Sequence, residues 1–218
     1  MIKAIVFDFD GLILDTETQS FRSMQKMYEK YHVELPFELW SKCIGARGGF
    51  DAVKYLEEQT GQSIDAAAFY QEREKIFIDL IEEEDILPGV ESILETAQKL
   101  GIRIGLATSS HEGWAAGHLQ RLGILDYFEY ICTGDDVKNA KPDPEIYLKV
   151  LEYFGVKPEE AIAFEDSLNG ALAAKRAGMF CVVVPNYVTQ NMAFEDIDEK
   201  LESLADTSLE KLIEAFSG

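Results

Sequence analysis

The stretch AIVFDFDGLILDTE, residues 4–17, decides the fold. Four apolar residues in a row predict a strand buried on both faces, and Asp8, Asp10 and Asp15 follow it at once. Carboxylates that close repel one another, and burying them costs free energy unless a cation or hydrogen bonds compensate. Asp10-Gly11 is also a common turn pair. The cluster is therefore either an acidic turn in water or a place where something positive belongs.

Working outward, KAIVF (3–7) is joined by RIGLA (103–107), YICT (130–133), AIAFE (161–165) and FCVVV (180–184). From residue 103 onward these runs alternate with helical patterns. SSHEGWAAGHLQRLG opens on Ser109 and Ser110, either a natural N-cap, and closes on Gly123. DPEIYLKVLEYFG ends on Gly155, and SLNGALAAKRAG ends on Gly178. Strands alternating with helices of this length predict right-handed crossovers and a parallel α/β sheet, Rossmann-like and covered on both faces.

Residues 16–85 break the alternation, with helical stretches expected at 17–31, 36–43, 48–60 and 63–82. In FYQEREKIFIDLI, Phe69, Ile76 or Phe77, and Leu80 or Ile81 share one face. EEED (82–85) and LPG (87–89) read as the way back. The expected organisation is an α/β core of residues 1–15 and 86–218 with a helical insert over 16–85. Residues 189–206 carry no pattern and read as loop and surface.

The 218 residues suffice for one large domain or two smaller ones, and 47% apolar with 28% charged residues is an ordinary globular composition. A net charge of −20 disfavours nucleic acid and anionic membranes as partners. Cys43, Cys132 and Cys181 are odd in number, far apart and in apolar contexts, which suits a reducing compartment better than disulfides or zinc. The apolar run after Lys3 stops at Asp8, so no leader is read, and no stretch nears the roughly 20 apolar residues of a membrane helix. The expected location is the cytoplasm.

Ligands of open parallel sheets bind outside the carboxyl ends of the strands. Asp8 and Asp10 follow the first expected strand, Thr108 to Ser110 the second, KNAKPDP with Lys141 lies beyond the third, and Glu165, Asp166 and Ser167 close the fourth. Taken singly, the serines and Asp166 could cap helices and Lys141 could be a loop lysine. Jointly they describe one chemistry. Asp8 and Asp166 are hard oxygen ligands suited to magnesium. A divalent cation and the Lys141 ammonium would offset the four carboxylates enough to admit a phosphate dianion. Thr108 and the backbone N–H groups after it could hold phosphoryl oxygens at a helix N-terminus. The set reads as phosphoryl transfer.

These residues resemble the haloacid dehalogenase-like superfamily, with DFDGLILDTE, GLATS, KPDP and FEDSLNG matching its four motifs in order along the chain. The position of the insert is similar to the helical-cap subgroup, and the chain looks like the branch of β-phosphoglucomutase and small sugar-phosphate phosphatases. The resemblance implies a sheet order 5-4-1-2-3, Mg2+ as cofactor, and Asp8 as a nucleophile forming an aspartyl-phosphate. It implies Asp10 as the acid and base, with its backbone carbonyl on the metal, and Thr108 and Lys141 as stabilisers of phosphoryl charge. Asp166 would be the second metal carboxylate and Glu165 a further ligand or its support. Gly11, Ser109, Glu17 and Arg47 would bind substrate, Arg47 from the glycine-flanked IGARGG.

β-Phosphoglucomutases carry a histidine shortly after the DT of the first motif. Here DTETQSFRS places Ser20 there, and the DTE version with Glu17 is similar to the phosphatases. The expected function is hydrolysis of a small phosphate ester, a sugar phosphate or nucleoside monophosphate, with phosphosugar mutase as the alternative. A monomer or weak homodimer is expected. A signalling receiver also uses these residue types, but at about half the length and with the phosphorylated aspartate in mid-chain.

Overall fold

The computed structural model describes residues 1–41 and 50–217. The chain divides into two compact units, Met1–Leu14 with Asp85–Gly218, and Asp15–Glu84. In chain order, β1 (Ala4–Phe7) is followed by the helical unit, which holds α1 (Thr16–Glu29), α2 (Phe37–Trp40), α3 (Ala52–Thr60) and α4 (Ala66–Glu82). The remainder of the first unit is α5 (Val90–Leu100), β2 (Arg103–Ala107), α6 (Glu112–Arg121), β3 (Tyr130–Cys132), α7 (Glu145–Phe154), β4 (Ala161–Glu165), α8 (Leu168–Arg176), β5 (Phe180–Val183), β6 (Glu199–Lys200) and α9 (Leu209–Phe216).

Every strand pair is parallel, in the order β3-β2-β1-β4-β5-β6. The five expected strands lie in the expected order, and a sixth extends the edge beyond β5. That sixth strand falls where the sequence reads as loop. Glu199 and Lys200 pair through their backbones with Val182 and Val183 while both side chains are exposed, so no apolar alternation announces the strand.

β1 is central and wholly buried, with Val6 level with Gly105 on one side and Ala163 on the other. Phe7 stacks on Phe164 with ring centroids 4.8 Å apart, and burying a phenylalanine of this kind contributes about 1.5–3 kcal/mol. The small residues Ala107, Ala163 and Ala174 let α7 and α8 lie close to the sheet, where Val150, Leu151 and Phe154 fill one face of the core. Cys132 and Cys181 are buried and free, whereas Cys43 lies outside the described residues. The insertion leaves and re-enters at neighbouring points, since Leu87 N–H donates to Ile13 O at 2.9 Å.

Within the helical unit, Asp15, Asp51 and Asp65 cap α1, α3 and α4 by accepting backbone N–H bonds from the first turns. Phe21 meets Phe37 and Trp40 with centroids 5.2 and 4.9 Å apart. Tyr28 Oη donates to Ala52 O at 2.6 Å, which ties α1 to α3. On α4 the expected face is only partly covered, with Phe69 and Ile81 buried and Ile76, Phe77 and Leu80 half-buried. Among the described residues no helix is long and apolar enough to cross a membrane.

Candidate active site

The strand order reverses at β1, with β2 and β3 on one side and β4 to β6 on the other. In open parallel sheets ligands bind at such a switch point, outside the carboxyl ends of the strands that flank it, here β1 and β4. The residues that follow those strands meet there. Asp8 comes directly after β1, Thr108 directly after β2, and Glu165 is the last residue of β4, with Asp166 next. Lys141 is delivered by the loop between β3 and α7, where the Lys141–Pro142 peptide is cis.

Lys141 Nζ uses three donors, to Asp8 Oδ1 at 2.6 Å, Glu165 Oε1 at 2.7 Å and Ala107 O at 2.9 Å. Its side chain is only 6% exposed. Burial works against the ammonium, but Asp8 and Glu165 outweigh it and hold Lys141 above the usual lysine range. The opposite balance governs Asp8. Burial, with Glu165 and Asp10 nearby, pushes its carboxyl up to about 8 despite Lys141.

Glu165 is enclosed. Its Oε1 accepts from Lys141 and, at 2.5 Å, from Tyr147 Oη; its Oε2 accepts from Asp166 N at 3.3 Å and Ser167 Oγ at 3.4 Å. Four donors thus meet the roughly four lone-pair directions of one carboxylate. Burial against Glu165 pushes the Tyr147 hydroxyl well above its ordinary range, so it stays a donor.

Asp8, Glu165 and Asp166, all buried, bring one carboxylate oxygen each within 4.8 Å of one another. One ammonium leaves this cluster short of positive charge, and an all-oxygen donor set is the chemistry a hard divalent cation takes. The residues therefore fit magnesium. Asp166 Oδ2 accepts from Asn186 Nδ2 at 2.7 Å, and the same amide group reaches Gly11 O at 3.3 Å. Gly11 has φ +79°, and a Cβ there would come within 2.5 Å of both Asn186 Nδ2 and Asp166 Oδ2. Only glycine lets this turn approach Asp166 so closely.

The Asp10 carboxylate is held from the turn after β2 and from α6. Its Oδ2 accepts from Ser110 Oγ at 2.6 Å and more weakly from Thr108 Oγ1 at 3.4 Å, and its Oδ1 accepts from Trp114 Nε1 at 3.0 Å. Thr108 is fully buried, and its Oγ1 also accepts from Ser110 N at 3.1 Å. Ser109 is exposed at the turn before α6. Neither serine caps α6, whose N-cap is His111 without a side-chain bond to the first turn; the Ser110 hydroxyl is drawn to Asp10 instead. Ser167 does cap α8, accepting from Gly170 N at 3.2 Å, and Asp166 does not.

Of the expected site residues, Asp8, Asp10, Gly11, Thr108, Lys141, Glu165 and Asp166 converge in the first unit. Glu17 lies in the first turn of α1 in the helical unit, and Arg47 is outside the described residues. Ser20 is held by Arg73 of α4, whose Nη2 donates to Ser20 Oγ at 2.5 Å. Sequence reading misses Asn186, Tyr147 and Trp114. Tyr147 and Trp114 look like ordinary apolar positions of amphipathic helices, and Asn186 sits in a loop without a motif.

The haloacid dehalogenase-like hydrolase family model matches residues 5–184. A Bacillus subtilis protein provisionally named as a phosphatase is 49% identical over 98% of this chain and 97% of its own length. The phosphorylated carbohydrates phosphatase of Thermotoga maritima is 36% identical over 82% of each chain. Among solved structures, a variant of CbbY from Rhodobacter sphaeroides in complex with xylulose 1,5-bisphosphate superposes with a TM-score of 0.76 at 30% identity, covering 97% of this chain and 99% of that one. With the model spanning most of the chain and the four motif regions gathered at one switch point, the chain belongs to the haloacid dehalogenase-like hydrolases.

Proposed function

We propose that the protein is a magnesium-dependent phosphatase that hydrolyses a small phosphorylated carbohydrate through an aspartyl-phosphate on Asp8. The observation that carries this reading is the buried cluster of Asp8, Glu165 and Asp166 with the Lys141 ammonium seated on two of the three carboxylates. The named activity of the Thermotoga relative and the sugar bisphosphate held by CbbY support the substrate class.

In the first step an Asp8 carboxylate oxygen bonds to phosphorus while the ester P–O bond breaks, and its electron pair leaves on the sugar oxygen. Asp10 gives that oxygen a proton. A water then attacks the phosphorus, Asp10 takes the proton back, and the P–O bond to Asp8 breaks to release phosphate. Lys141 steadies charge on the phosphoryl oxygens and holds Asp8 in place. Asp8, Asp166 and the backbone carbonyl of Asp10 are the proposed magnesium ligands; the ion, when bound, supplies positive charge against the phosphoryl oxygens. Glu165, with its lone pairs engaged, is assigned the role of orienting Lys141.

Ser20 stands where the mutases carry a histidine, and its hydroxyl is engaged by Arg73. This favours hydrolysis over phosphoryl return to a sugar. Gly11, Thr108, Ser109, Glu17 and Arg47 are proposed substrate contacts, the last two on the resemblance alone. Initial rates on a panel of sugar phosphates and nucleoside monophosphates, with magnesium and with chelator, test the proposal. Hydrolysis should require the metal and vanish in Asp8→Asn, and activity that survives both changes would overturn the mechanism.

A further inference from the structure

Lys141 reaches Asp8 from a stretch with no regular structure of its own. Between β3 and α7 the chain runs through residues 133–144 in turns and loop, and residues 138–140 are exposed. A lysine on a flexible four-carbon stem keeps a fixed place only if the backbone beneath it is fixed. Here side chains fix it. Asp136 Oδ2 accepts from Thr133 N at 2.8 Å and from Thr133 Oγ1 at 2.9 Å, and Lys149 Nζ of α7 donates to Asp136 O.

Glu145, the first residue of α7, reaches back across the loop. Its Oε1 accepts from Lys138 N at 3.0 Å, and its Oε2 accepts from Asn139 N at 3.0 Å and Asn139 Nδ2 at 3.2 Å. One carboxylate on the far side of Lys141 thus takes two consecutive backbone N–H groups on the near side. The Lys138 and Asn139 bonds also hold its carboxyl below the ordinary range, so near neutral pH it only accepts. Within the loop Asp143 N donates to Ala140 O at 3.1 Å, and from α8 Arg176 Nη1 donates to Pro142 O at 2.7 Å.

We infer that Glu145 is a positioning residue that clasps the loop 138–145 and so presents the Lys141 ammonium to Asp8. The inference rests on the phosphatase reading and adds to it a group outside the buried cluster that acts on the lysine through the backbone. Without the carboxylate, the Lys138 and Asn139 N–H groups turn to water, and the segment carrying Lys141 is held only at Asp136 and Pro142. The ammonium then spends less time in place, and less positive charge meets the phosphoryl oxygens as theirs develops.

Glu145→Ala should lower kcat by about tenfold and change KM by less than about twofold, because the weakened interaction is one with the transition state. Lost packing alone would also lower turnover, so the same substitution is made in Lys141→Ala. There it should change kcat by less than about twofold, since no ammonium remains to be presented. No loss in the wild-type background, or a further tenfold loss in the Lys141→Ala background, would overturn the inference. If Lys141→Ala itself turns over as fast as the wild type, the phosphatase reading falls instead.

A second measurement needs neither turnover nor the Lys141 variant. The Asp143 amide is bonded to Ala140 O and not to Glu145, so its hydrogen exchange reports the order of the loop. In the full chain carrying Glu145→Ala it should exchange about fivefold faster or more, with the amides of β4 at their wild-type rates. An unchanged Asp143 rate, or an equal rise in β4, would overturn the clasp.

Discussion

Lys141 Nζ donates to Asp8 Oδ1 at 2.6 Å, joining residues 133 positions apart in a setting where both side chains are less than a tenth exposed. Removing the ammonium leaves the Glu165 carboxylate, and Asp8 once it ionises, without the nearest positive charge. Lys141→Ala should lose activity by about two to three orders of magnitude. It should also lose about 3 kcal/mol of stability, as breaking a buried ion pair does. Steady-state kinetics and urea unfolding without metal check the two effects separately.

Burial, with Glu165 and Asp10 nearby, pushes the Asp8 carboxyl up from its ordinary 3.8 to about 8, so over that interval the folded chain binds more protons than the unfolded chain. Its stability contribution is therefore lost as pH rises from the carboxylate range towards 8. Metal binding needs the ionised carboxylate and opposes that loss. The increase in melting temperature given by magnesium should be small near about pH 6 and grow through about pH 8, as read by thermal unfolding with and without the ion. An increase that shrinks over this range would contradict the account.

Gly170 on α8 faces the Glu165 carboxylate so closely that a Cβ there would collide with all three of its terminal atoms. Gly170→Ala should push Glu165 off Lys141 and Tyr147, at about 1–3 kcal/mol, although alanine is the better helix former. Thermal melting together with kcat should fall in this variant. Gly117 is exposed on α6 and has open space where its Cβ would go, so Gly117→Ala should leave both unchanged or raise the melting point.

Asn186 Nδ2 fixes Asp166 while Asn186 Oδ1 accepts from Val188 N at 2.9 Å and Thr189 N at 3.1 Å. The residue ties Asp166, a proposed metal ligand, to the loop after β5. Asn186→Ala should weaken magnesium binding by about tenfold. Calorimetric titration of the metal shows this without reference to turnover, and an unchanged affinity would remove Asn186 from the account.

The sequence discloses those parts of the fold that depend on burial. β1, β2, β4 and β5 are apolar because they lie inside the sheet, and that pattern bounds each of them within a residue or so. β6 is held only by backbone pairing with β5, and a chain of side-chain types cannot show that. The site divides in the same way. Asp8, Lys141 and Asp166 are polar residues at strand ends and loops, conspicuous by their setting. Tyr147 and Trp114 use a single polar atom on an otherwise apolar side chain, so their helices read as plain core packing. Ser110 shows the reverse error, a residue with the look of a helix cap whose hydroxyl is taken by Asp10 from the far end of the chain.

The two outer strands of the sheet are its shortest. β3 has three residues and β6 only two, one acidic and one basic, whereas the four strands between them have four or five. A run of unpaired backbone N–H and C=O groups is a template for another chain, and its reach grows with its length. Here the template stops almost as soon as it begins, and on the β6 side it is flanked by charge. Lengthening that edge with apolar residues, more than disturbing any catalytic group, is the change that would turn this enzyme towards aggregation.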